Sequence, residues 1–545
     1  MKTAVEIIEI LLKNRQVVDR DDFLSPNYER VMASHDPFGL VDMDKAIERL
    51  VLARHQQHKI VIFGDYDADG VTATALLLDA LASFGFERVD YFLPNRFTNG
   101  YGLTVKAIEQ IAKEQQPDLI VTVDCGSLNQ LEIERANQLG IDVIVTDHHN
   151  VAQIQPPAVA VVNPKRPENT YPNCYLSGVG TAFTLVRALQ TRLEGLAPGQ
   201  EKWLLDLVAI GTIADLMELK GENRALVKFG LVVLTKTRRL GLRQLLDQNK
   251  LEQLTAETIG FVIGPRINAS GRLESADFAL AVLTAQMPAE AHQRVEKLNY
   301  LNTKRRALQD KVYSEAFSQA VKSDDPVLVL IGDGWHEGVV GIVASRIQEE
   351  FQKPVFILSR QPEQIKGSAR SFGQFSVFEA IEACRDLLLT GGGHDAAGGL
   401  SLKPENFEAV RARINDFYRS LNLSDQQQFL EPKPEIELDS LAVLTKDFYH
   451  QMHQLEPFGV GNPEPIFEVV NLTTAQVLFL GSDNQHLKIR LRDSDGRELE
   501  MISFNYNKDW KLRLDDRVKV IFTLSMNHWN GRETLQGRLL RIDKM

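Results

Sequence analysis

The sequence predicts an α/β protein: two α/β domains joined by a long helix and followed by a C-terminal β-barrel of the OB type. Three observations predict this fold class. In the first half, short apolar runs rich in β-branched residues alternate with helical segments, as in a parallel sheet that is buried on both faces. The same alternation restarts at Val327 after a long helical segment. Beyond residue 436, apolar and polar residues alternate, which is typical of strands with one buried face.

Length and composition agree with a multidomain globular protein. A chain of 545 residues is too long for one core, and its 44% hydrophobic and 25% charged residues are ordinary. No apolar run approaches the roughly 20 residues of a membrane span. Glutamates interrupt the apolar stretch at residues 1–13, which favours an amphipathic helix over a signal peptide. The three cysteines form no zinc or disulfide pattern, so we expect a reducing cytoplasm.

Charge does not decide the partner. The net charge of −12 argues against a nucleic-acid binder when taken alone. However, residues 486–545 carry 13 Lys and Arg against 9 Asp and Glu. Part of the acidity elsewhere comes from an aspartate cluster that bound cations would neutralise.

The element pattern predicts six segments. We expect a helical preamble at 1–45, an α/β domain at 46–275, a bridging helix at 276–325, a second α/β domain at 326–422, a linker at 423–435 and the barrel at 436–545. The helical pattern from Pro288 to about Lys322 contains no internal Gly or Pro and is long enough to join two domains; an ordinary packed helix is the alternative. A further helix is expected just after Gly70. Turns are expected at 495–496 and 530–531.

Three predicted strands end on acidic residues or histidines. These runs are Lys59–Gly70, Leu119–Gly126 and Ile141–His149. Ligands bind at the carboxyl ends of strands in an open α/β sheet, so five aspartates and two histidines would meet at one edge. A single such Asp is usually a helix cap or a turn former. Three strand ends of the same kind instead favour a centre for Mn²⁺, Zn²⁺ or Mg²⁺ that supports hydrolysis.

The spacing suggests roles within this centre. Asp124 follows the middle run and could bridge two ions, which suits phosphate-ester hydrolysis. His148 and His149 are adjacent, so one is expected to ligate a metal and the other to contact the phosphate or the leaving group. Asp147 could orient a ligand histidine. Asp215 interrupts the apolar segment 207–218, where a metal partner would offset its burial; a helix cap is the alternative.

Four segments resemble the motifs of the DHH phosphoesterase superfamily: Gly64–Gly70, Val123–Gly126, Asp147–His149 and Gly211–Asp215. Within that superfamily, nearly the whole chain is similar to the RecJ exonuclease family. The signatures that carry this similarity are Gly264–Arg272, Trp335–Arg346, Lys366–Ser371 and the glycine-rich Gly391–Gly399, which is typical of a DHHA1 domain. The resemblance therefore implies that the two α/β domains are of the DHH and DHHA1 types.

The family implies a 5′→3′ exonuclease that degrades single-stranded DNA to mononucleotides with two Mn²⁺ or Mg²⁺ ions, in recombination and repair. The implied metal ligands are Asp65, Asp67, Asp69, Asp124, His148 and Asp215. Asp147 and His149 are the implied catalytic residues. The implied substrate-binding residues are Arg96, Arg266, Asn268, Arg272, Ser368, Arg370 and His394.

Details of this assignment stay open at the level of sequence. Ser368, Arg370 and Arg96 match positions that hold the terminal phosphate in the family, for which arginine is well suited. Which aspartate of the first motif binds which ion is undecided, and Phe63 stands where some members have a histidine, a role that Asp65 could fill. We expect a cytoplasmic monomer without membrane contact, with a single-strand-binding protein and a RecQ-type helicase as partner candidates.

Other patterns have two interpretations each. Glycines 391–399 could cradle a phosphate and let DNA pass closely, or form a tight strand-to-helix turn. Trp335, His336 and Arg266 could be ordinary core and surface residues. The aromatic side chains of the barrel suit stacking on unpaired bases but also suit a barrel core; they are Phe504, Tyr506, Trp510, His528 and Trp529.

Two rival functions are considered. A phosphodiesterase for short oligonucleotides or cyclic dinucleotides would need only the two α/β domains, whereas the barrel and the long helix favour a polymer substrate. A catalytically inactive DNA-binding scaffold would have lost metal ligands, and all the expected ligand positions are present.

Overall fold

A computed structural model describes residues 2–96, 102–251, 253–421, 432–481, 484–504, 506, 510–529 and 532–545, with only the backbone described at 528 and 529. The structural statements below concern these residues. The predicted linker lies largely outside them, and the predicted turn at 530–531 lies entirely outside. Within the described part, no helix is both long and apolar enough to cross a membrane.

The first α/β domain contains a five-stranded parallel sheet in the order β2-β1-β3-β4-β5. The strands are β1 Ile60–Gly64, β2 Val89–Phe92, β3 Leu119–Val123, β4 Asp142–Thr146 and β5 Ala160–Val162. All residues of β1 and β3 are buried, which agrees with their unbroken apolar runs.

Helices cover this sheet and extend the domain. Those before and between the strands are α4 Met43–His55, α5 Ala68–Ser83, α6 Val105–Glu114 and α7 Gln130–Gln138. Those after the sheet are α8 Gly178–Gln190, α9 Leu205–Ala214, α10 Gly221–Thr235, α11 Leu240–Gln248, α12 Ala256–Thr258, α13 Gly264–Leu273 and α14 Asp277–Leu283, with a π-helical turn at Ile259–Ile263. Helix α5 begins before Gly70, contrary to the prediction, because the Asp67 carboxylate caps the backbone N–H groups of Asp69 and Gly70.

A 33-residue helix, α15 Pro288–Ala320, joins the two α/β domains. Its N-terminal half contributes Val295 and Leu298 to the core of the first domain. Its C-terminal half contributes Val312 and Ala316 to a core of the second domain. The helix therefore packs into both domains and is a bridge. Residues 277–283, which fall within the predicted bridging segment, form the separate helix α14.

The second α/β domain has a mixed sheet in the order β6-β7-β8-β10-β9, in which only β6 and β7 are parallel. Its elements are β6 Leu328–Asp333, α16 Glu337–Phe351, β7 Val355–Arg360, β8 Ile365–Arg370, α17 Val377–Glu382, β9 Leu388–Gly393, β10 Ala397–Leu402 and α18 Phe407–Ser420. The glycine run therefore forms a β-hairpin between β9 and β10, and not a strand-to-helix turn.

The C-terminal region is a closed barrel, as predicted. Strand β12 pairs with both β13 and β15, which closes the ring β12-β13-β14-β16-β15. Its elements are β11 Ile436–Leu438, α19 Lys446–Met452, β12 Phe467–Leu480, β13 His486–Arg492, β14 Glu498–Ser503, β15 Arg517–Trp529 and β16 Arg532–Lys544. The predicted turn at 495–496 connects β13 to β14.

The N-terminal helices connect the barrel to the first domain. They are α1 Ala4–Asn14, α2 Arg20–Leu24 and α3 Tyr28–Ser34. Ile7, Leu11 and Leu12 of α1 are buried in the core of the barrel. The predicted preamble is thus helical, but its first helix packs on the far end of the chain. The predicted domain limits as such stay predictions.

Candidate metal centre and nucleic-acid cleft

The carboxyl ends of three neighbouring strands carry the acidic residues. Asp65 follows β1, Asp124 follows β3 and Asp147 follows β4, and these strands are adjacent in the sheet. The carboxylate of Asp69 lies against the start of α8, where the backbone N–H groups of Gly178 and Val179 donate to it at 2.6 and 2.9 Å. The sheet and two helix N-termini thus bring the side chains together.

His148 lies at the centre of this cluster. Its Nε2 atom lies 3.0 Å from Asp124 Oδ1, 3.5 Å from Asp215 Oδ2 and 3.8 Å from Asp69 Oδ2. Both His148 Nε2 and Asp124 Oδ1 are buried, and neither makes a hydrogen bond, because the 3.0 Å contact between them lacks hydrogen-bond geometry. Buried polar atoms are nearly always paired, so atoms of this kind indicate a missing partner such as a cation.

The pKa values of the carboxylates also indicate that this cluster binds a cation. Burial, and then the charge of Asp67, raises the pKa of Asp65 to about 8 and that of Asp215 to about 7. Burial and neighbouring carboxylates also raise the pKa of Asp69 and of Asp124. These carboxylates cannot all ionise together without a compensating positive charge.

His148 is suited to ligate a metal. Burial, and then the charge of His149, lowers the pKa of His148 to about 3, so its imidazole is neutral at physiological pH. Neutral imidazole is the form that binds metal ions. The donor set of the cluster therefore consists of neutral imidazole and carboxylate oxygens, which fits Mn²⁺ and Mg²⁺ chemistry.

The donors fall into two main groups. One oxygen each of Asp65, Asp67 and Asp124 lie within 4.8 Å of one another. Ligand atoms of Asp69, His148 and Asp215 form a second group of the same size. Asp124 belongs to the first group and lies 3.0 Å from the histidine of the second. A third group, of Asp124, His148 and His149, overlaps both. Asp124 thus lies where one carboxylate would serve two ions.

The backbone around Asp124 and Asp69 is shaped to admit these side chains. Asp124 has a left-handed φ of 62°, which is uncommon for a residue with a Cβ atom and occurs often at functional sites. A Cβ atom on Gly178 would lie 2.5 Å from Asp124 Cβ, and one on Gly211 would lie 2.5 Å from Asp69 Oδ1. These two glycines are therefore needed for the carboxylates to occupy their places.

Asp215 and Asp67 are also helix caps, at the C-terminus of α9 and the N-terminus of α5 respectively. Asp215 directly follows the last residue of α9, and its backbone N–H donates to Gly211 at 2.9 Å. Asp67 caps α5. The capping interpretation and the metal interpretation thus apply to the same residues, since each carboxylate also belongs to a donor group.

The second histidine differs from the first. The His149 side chain is 42% exposed, and its Nδ1 atom lies 2.9 Å from Asp147 Oδ1. Burial alone would lower the pKa of His149, but the hydrogen bond and charge of Asp147 raise it to about 9. Asp147 thus orients the ring of His149, whereas its contact with His148 is a 2.7 Å hydrogen bond from the backbone N–H of that residue. His149 can present a cation to an anionic substrate.

A polar cavity of about 170 Å³ lies between the two α/β domains, and Glu337 of α16 forms part of its wall. The Glu337 carboxylate lies 3.5 Å from Lys366 Nζ and so offsets part of the positive charge there. Arg96 from the first domain lines it together with Lys366 and Ser368 of β8. Arg370 lies on the same face of β8, where its Nε atom donates to Ser345 Oγ at 3.0 Å. Three of the residues predicted to hold the terminal phosphate therefore lie on this cleft or on the strand that lines it.

Arg272 lies where helix α13 of the first domain meets helix α16 of the second. It donates to the backbone oxygen of Gly338 at 3.3 Å. A Cβ atom on Gly338 would lie 2.0 Å from the backbone oxygen of Arg272, so helices α13 and α16 are almost in backbone contact. Burial, and then the charge of Arg96, lowers the pKa of Arg272 to about 10. This repulsion between arginines favours a bound anion.

Three other predicted substrate-binding residues have different surroundings. Arg266 donates to Asn299 Oδ1 and to the backbone oxygen of Val262, both at 2.8 Å, and also to Asn249. Asn268 Oδ1 accepts from the Ala68 N–H at 2.7 Å, at the start of α5. His394 is exposed in the β9–β10 turn. Arg266 and Asn268 are thus engaged in holding helices, and a DNA contact by any of the three stays a prediction.

Two ambiguous residues are part of the core. Trp335 is 3% exposed and donates to Glu315 Oε2 at 2.7 Å. Phe63, which stands where some family members have a histidine, is buried and stacks on Phe92 with ring centroids 5.7 Å apart. Its ring is therefore part of the core. Among the barrel aromatics, Phe504 is 59% exposed. The side chains of His528 and Trp529 lie outside the described residues.

Two residues beside the metal centre, Asn163 and Ser127, were not predicted from the sequence. Both are buried and hydrogen-bonded to the segment 147–149 or to each other. Asn163 follows β5, and a signal for it was present in the sequence. The apolar run at 158–162 ends on a polar residue, as the three predicted strands of the metal centre do. Ser127 had no comparable signal, because a serine in a turn is common.

Known protein families match both α/β domains and the C-terminal barrel. Residues 59–212 match the DHH family, N-terminal domain; residues 324–420 match the DHHA1 domain; and residues 436–540 match the RecJ OB domain.

Among curated proteins, the single-stranded-DNA-specific exonuclease RecJ of Bacillus subtilis is 38% identical over 510 residues, which cover 92% of this chain. The chain spans only 63% of the length of that relative. The protein of the same name from Escherichia coli is 34% identical over 91% of this chain and 89% of its own length.

Solved structures agree with these matches. RecJ of Thermus thermophilus in complex with Mn²⁺ matches with a TM-score of 0.83 at 32% identity, covering 98% of this chain and 75% of that one. The Mg²⁺ complex of the same protein matches with a TM-score of 0.77 at 30% identity, covering 99% and 75% of the two chains.

Proposed function

Because the chain belongs to the RecJ family, we propose that it is a metal-dependent 5′→3′ exonuclease that degrades single-stranded DNA to mononucleotides and serves recombination and repair. The observation that supports this most is the shared position of Asp124. Two groups of metal-ligand atoms meet at this carboxylate, as a two-metal hydrolase requires.

Six residues would hold two Mn²⁺ or Mg²⁺ ions. One ion would be held by Asp65, Asp67 and Asp124, and the other by Asp69, His148 and Asp215, with Asp124 shared. When bound, the ions activate a water molecule and stabilise the charge of the attacked phosphate and its leaving oxygen. The buried carboxylates supply the negative charge that retains the ions.

His149 is proposed to hold the scissile phosphate. Its ring is cationic at neutral pH because of Asp147, and its side chain is 42% exposed toward solvent. A charge-assisted hydrogen bond to a phosphate oxygen would strengthen as negative charge grows there during attack. Asp147 keeps the ring oriented through its 2.9 Å contact with Nδ1.

The interdomain cavity is proposed to hold the 5′ end. Arg96, Lys366 and Ser368 offer two cations and a hydroxyl around a space of about 170 Å³, although Lys366 also lies 3.5 Å from the carboxylate of Glu337 in the same wall. Arg370 is on the same face of the sheet. Next to it, a Cβ atom on Gly392 would meet no atom within 4 Å, and one on Gly399 only an atom at 3.6 Å, which leaves a smooth open surface for a strand to pass.

A polymer substrate is supported by a second, larger cavity. It measures about 680 Å³ and lies between the first domain and the barrel. Its walls include Leu216, which directly follows Asp215, and Phe261, Tyr449 and Met526. Charged residues at the same groove are Glu257, Glu456, Glu464 and Arg538. Apolar and aromatic walls suit unpaired bases, and their position next to a metal-ligand residue suits the part of the strand beyond the scissile bond. A cyclic-dinucleotide enzyme would have no use for this groove.

The proposal includes the expectations on partners and location. We expect the protein to be a cytoplasmic monomer that acts on single-stranded DNA. Its expected protein partners are a single-strand-binding protein and a RecQ-type helicase.

Digestion of end-labelled oligonucleotides tests the function. We expect Mn²⁺ or Mg²⁺ to release labelled mononucleotide at once from a 5′-labelled single strand and only late from a 3′-labelled one, with no release from a blunt duplex or with a chelator. Early release from the 3′ end, or hydrolysis of dinucleotides alone, would contradict the proposal. The second outcome would instead favour the short-oligonucleotide phosphodiesterase.

A further inference from the structure

Strand β5 adds a residue to the metal edge of the sheet that is not among the expected ligands. Asn163 directly follows this strand and is fully buried. Its Nδ2 group donates to the backbone oxygen of His149 at 2.9 Å and to Ser127 Oγ at 2.8 Å. Its Oδ1 atom accepts from the Lys165 N–H at 2.8 Å. Both ends of this amide are therefore used, which fixes its orientation.

The contacts of Asn163 close a ring of hydrogen bonds around His149. The N–H group of Ser127 donates to Asp147 Oδ2 at 2.9 Å. The other oxygen of Asp147 accepts from the N–H group of His149 at 3.1 Å and contacts its ring at 2.9 Å. Asn163 thus reaches His149 by two routes, directly through the backbone and indirectly through Ser127 and Asp147. Such connected networks hold a side chain more firmly than separate bonds.

His149 needs this support more than its neighbour does. The His148 side chain is 6% exposed and is confined by burial, whereas that of His149 is 42% exposed. Because more of its side chain is open to solvent, burial confines the His149 ring less. A displacement of about 1 Å can cost about 100-fold in rate.

We propose that Asn163 is a positioning residue for the scissile phosphate, acting through His149. This inference rests on the proposed function. Asn163 makes no contact with the substrate itself; it holds the carbonyl of His149 and, through Ser127, the carboxylate that orients the ring.

A double-mutant cycle tests the proposal. In the wild-type background, Asn163→Ala should lower kcat on a 5′-phosphorylated single strand by about 10- to 100-fold, as is typical when an outer support is lost. KM and the affinity for Mn²⁺, measured by titration calorimetry, should stay within about twofold. In a His149→Ala background, the same change should lower kcat by no more than about twofold, because the residue it acts through is absent.

Three results would overturn the proposal. They are an equal loss of kcat in both backgrounds, a fall in Mn²⁺ affinity as large as the fall in kcat, and full activity of Asn163→Ala in the wild-type background. Inactivity of the wild-type protein on single-stranded DNA would instead contradict the proposed function, so the two failures are distinguishable.

Two further variants guard against a loss of folding. Ser127→Ala removes only the hydroxyl that accepts from Asn163, and it should lower kcat several-fold in the wild-type background and not in the His149→Ala background; unchanged kcat would contradict the proposal. Asn415→Ala is the matched control, because Asn415 is a buried amide in the second α/β domain that accepts from Val327 and donates to Arg411. It should lower the melting temperature without changing kcat.

Discussion

Two adjacent histidines with opposite ionisation are the main feature at the residue scale. Burial, and then the charge of His149, lowers the pKa of His148 to about 3, whereas the hydrogen bond and charge of Asp147 outweigh burial and raise the pKa of His149 to about 9. One ring is therefore neutral, as a metal ligand is, and the other is a cation. The two-residue motif thus suits the proposed roles of metal donor and phosphate contact.

Asp147→Asn tests the role of the cation. The raised pKa of about 9 keeps His149 protonated up to that pH, and the cation is lost as pH rises above it. Without the carboxylate, the pKa should fall toward the ordinary histidine value of about 6.5, so that the loss of kcat is about 20-fold greater at pH 8 than at pH 6. The pH profiles of both proteins at fixed free Mn²⁺ measure this. An equal loss at the two pH values would mean that Asp147 acts without affecting the charge of His149.

At the scale of elements, the alternation along β8 decides which side chains face the cleft. Lys366, Ser368 and Arg370 point to one face, and the intervening Gly367 and Ala369 to the other. Helix α16 covers part of the first face, and the cleft occupies the rest. The strand would thereby supply the proposed phosphate donors from a single rigid element.

Arg96→Ala should mainly impair recognition of the 5′ phosphate. Loss of a hydrogen bond to a charged group costs about 1.5–3 kcal/mol, so kcat/KM for a 5′-phosphorylated strand should fall about 10- to 100-fold, and less for a 5′-hydroxyl strand. Both substrates are compared at one salt concentration, because nonspecific phosphate contacts vary with salt. Arg360→Ala, at the exposed end of β7, is the control and should act equally on both ends. An equal loss with Arg96→Ala would place the 5′ end elsewhere.

The π-helical turn at Ile259–Ile263 presents an aromatic ring to the large groove. Phe261 is 71% exposed and lines the groove, so its ring is accessible to a base. If it stacks on a base, Phe261→Ala should cost about 1–3 kcal/mol and raise KM for a 20-mer but not for a trimer. Leu131, equally exposed on α7, is the control for the loss of a surface hydrophobe. The same KM for the 20-mer after Phe261→Ala would show that the strand leaves by another route.

At the scale of the whole molecule, one buried arginine fastens the barrel to the first domain. Arg224 of α10 donates to the backbone oxygens of Leu455 and Glu456 at 3.2 and 2.7 Å, and to that of Phe23. Together with the burial of α1 in the barrel core, these bonds hold the groove in shape.

Arg224→Ala should loosen the barrel and leave the metal centre intact. It would leave buried carbonyls unpaired, at about 1–3 kcal/mol for each group, and should lower the melting temperature. KM for a 20-mer should rise, whereas hydrolysis of a trimer should be unchanged. Arg243→Ala removes a bond within the first domain alone and is the control. A rise in KM for the trimer of the same size would show that the change reaches the metal centre.

The fold class and the edge of the sheet that carries the acidic residues could be predicted from sequence, because unbroken apolar runs ending on aspartate mark buried parallel strands. The supports of the site could not. Asn163 and Arg266 have side-chain partners on other elements, between 14 and 36 residues away, so their roles depend on tertiary contacts that no local pattern encodes. The docking of α1 on the barrel, more than 400 residues away, is of the same kind.

The central claim is that Asp124 is shared by two metal ions. Titration calorimetry with Mn²⁺ on the wild-type protein and on Asp124→Asn tests it most directly. Asp142→Asn, at the opposite end of the same sheet, is the control. We predict two ions per chain for the wild type and the control. For Asp124→Asn we predict at most one ion over the same concentration range, with hydrolysis reduced more than about 1,000-fold. Two ions bound to Asp124→Asn with affinities within about tenfold of the wild type would contradict the claim.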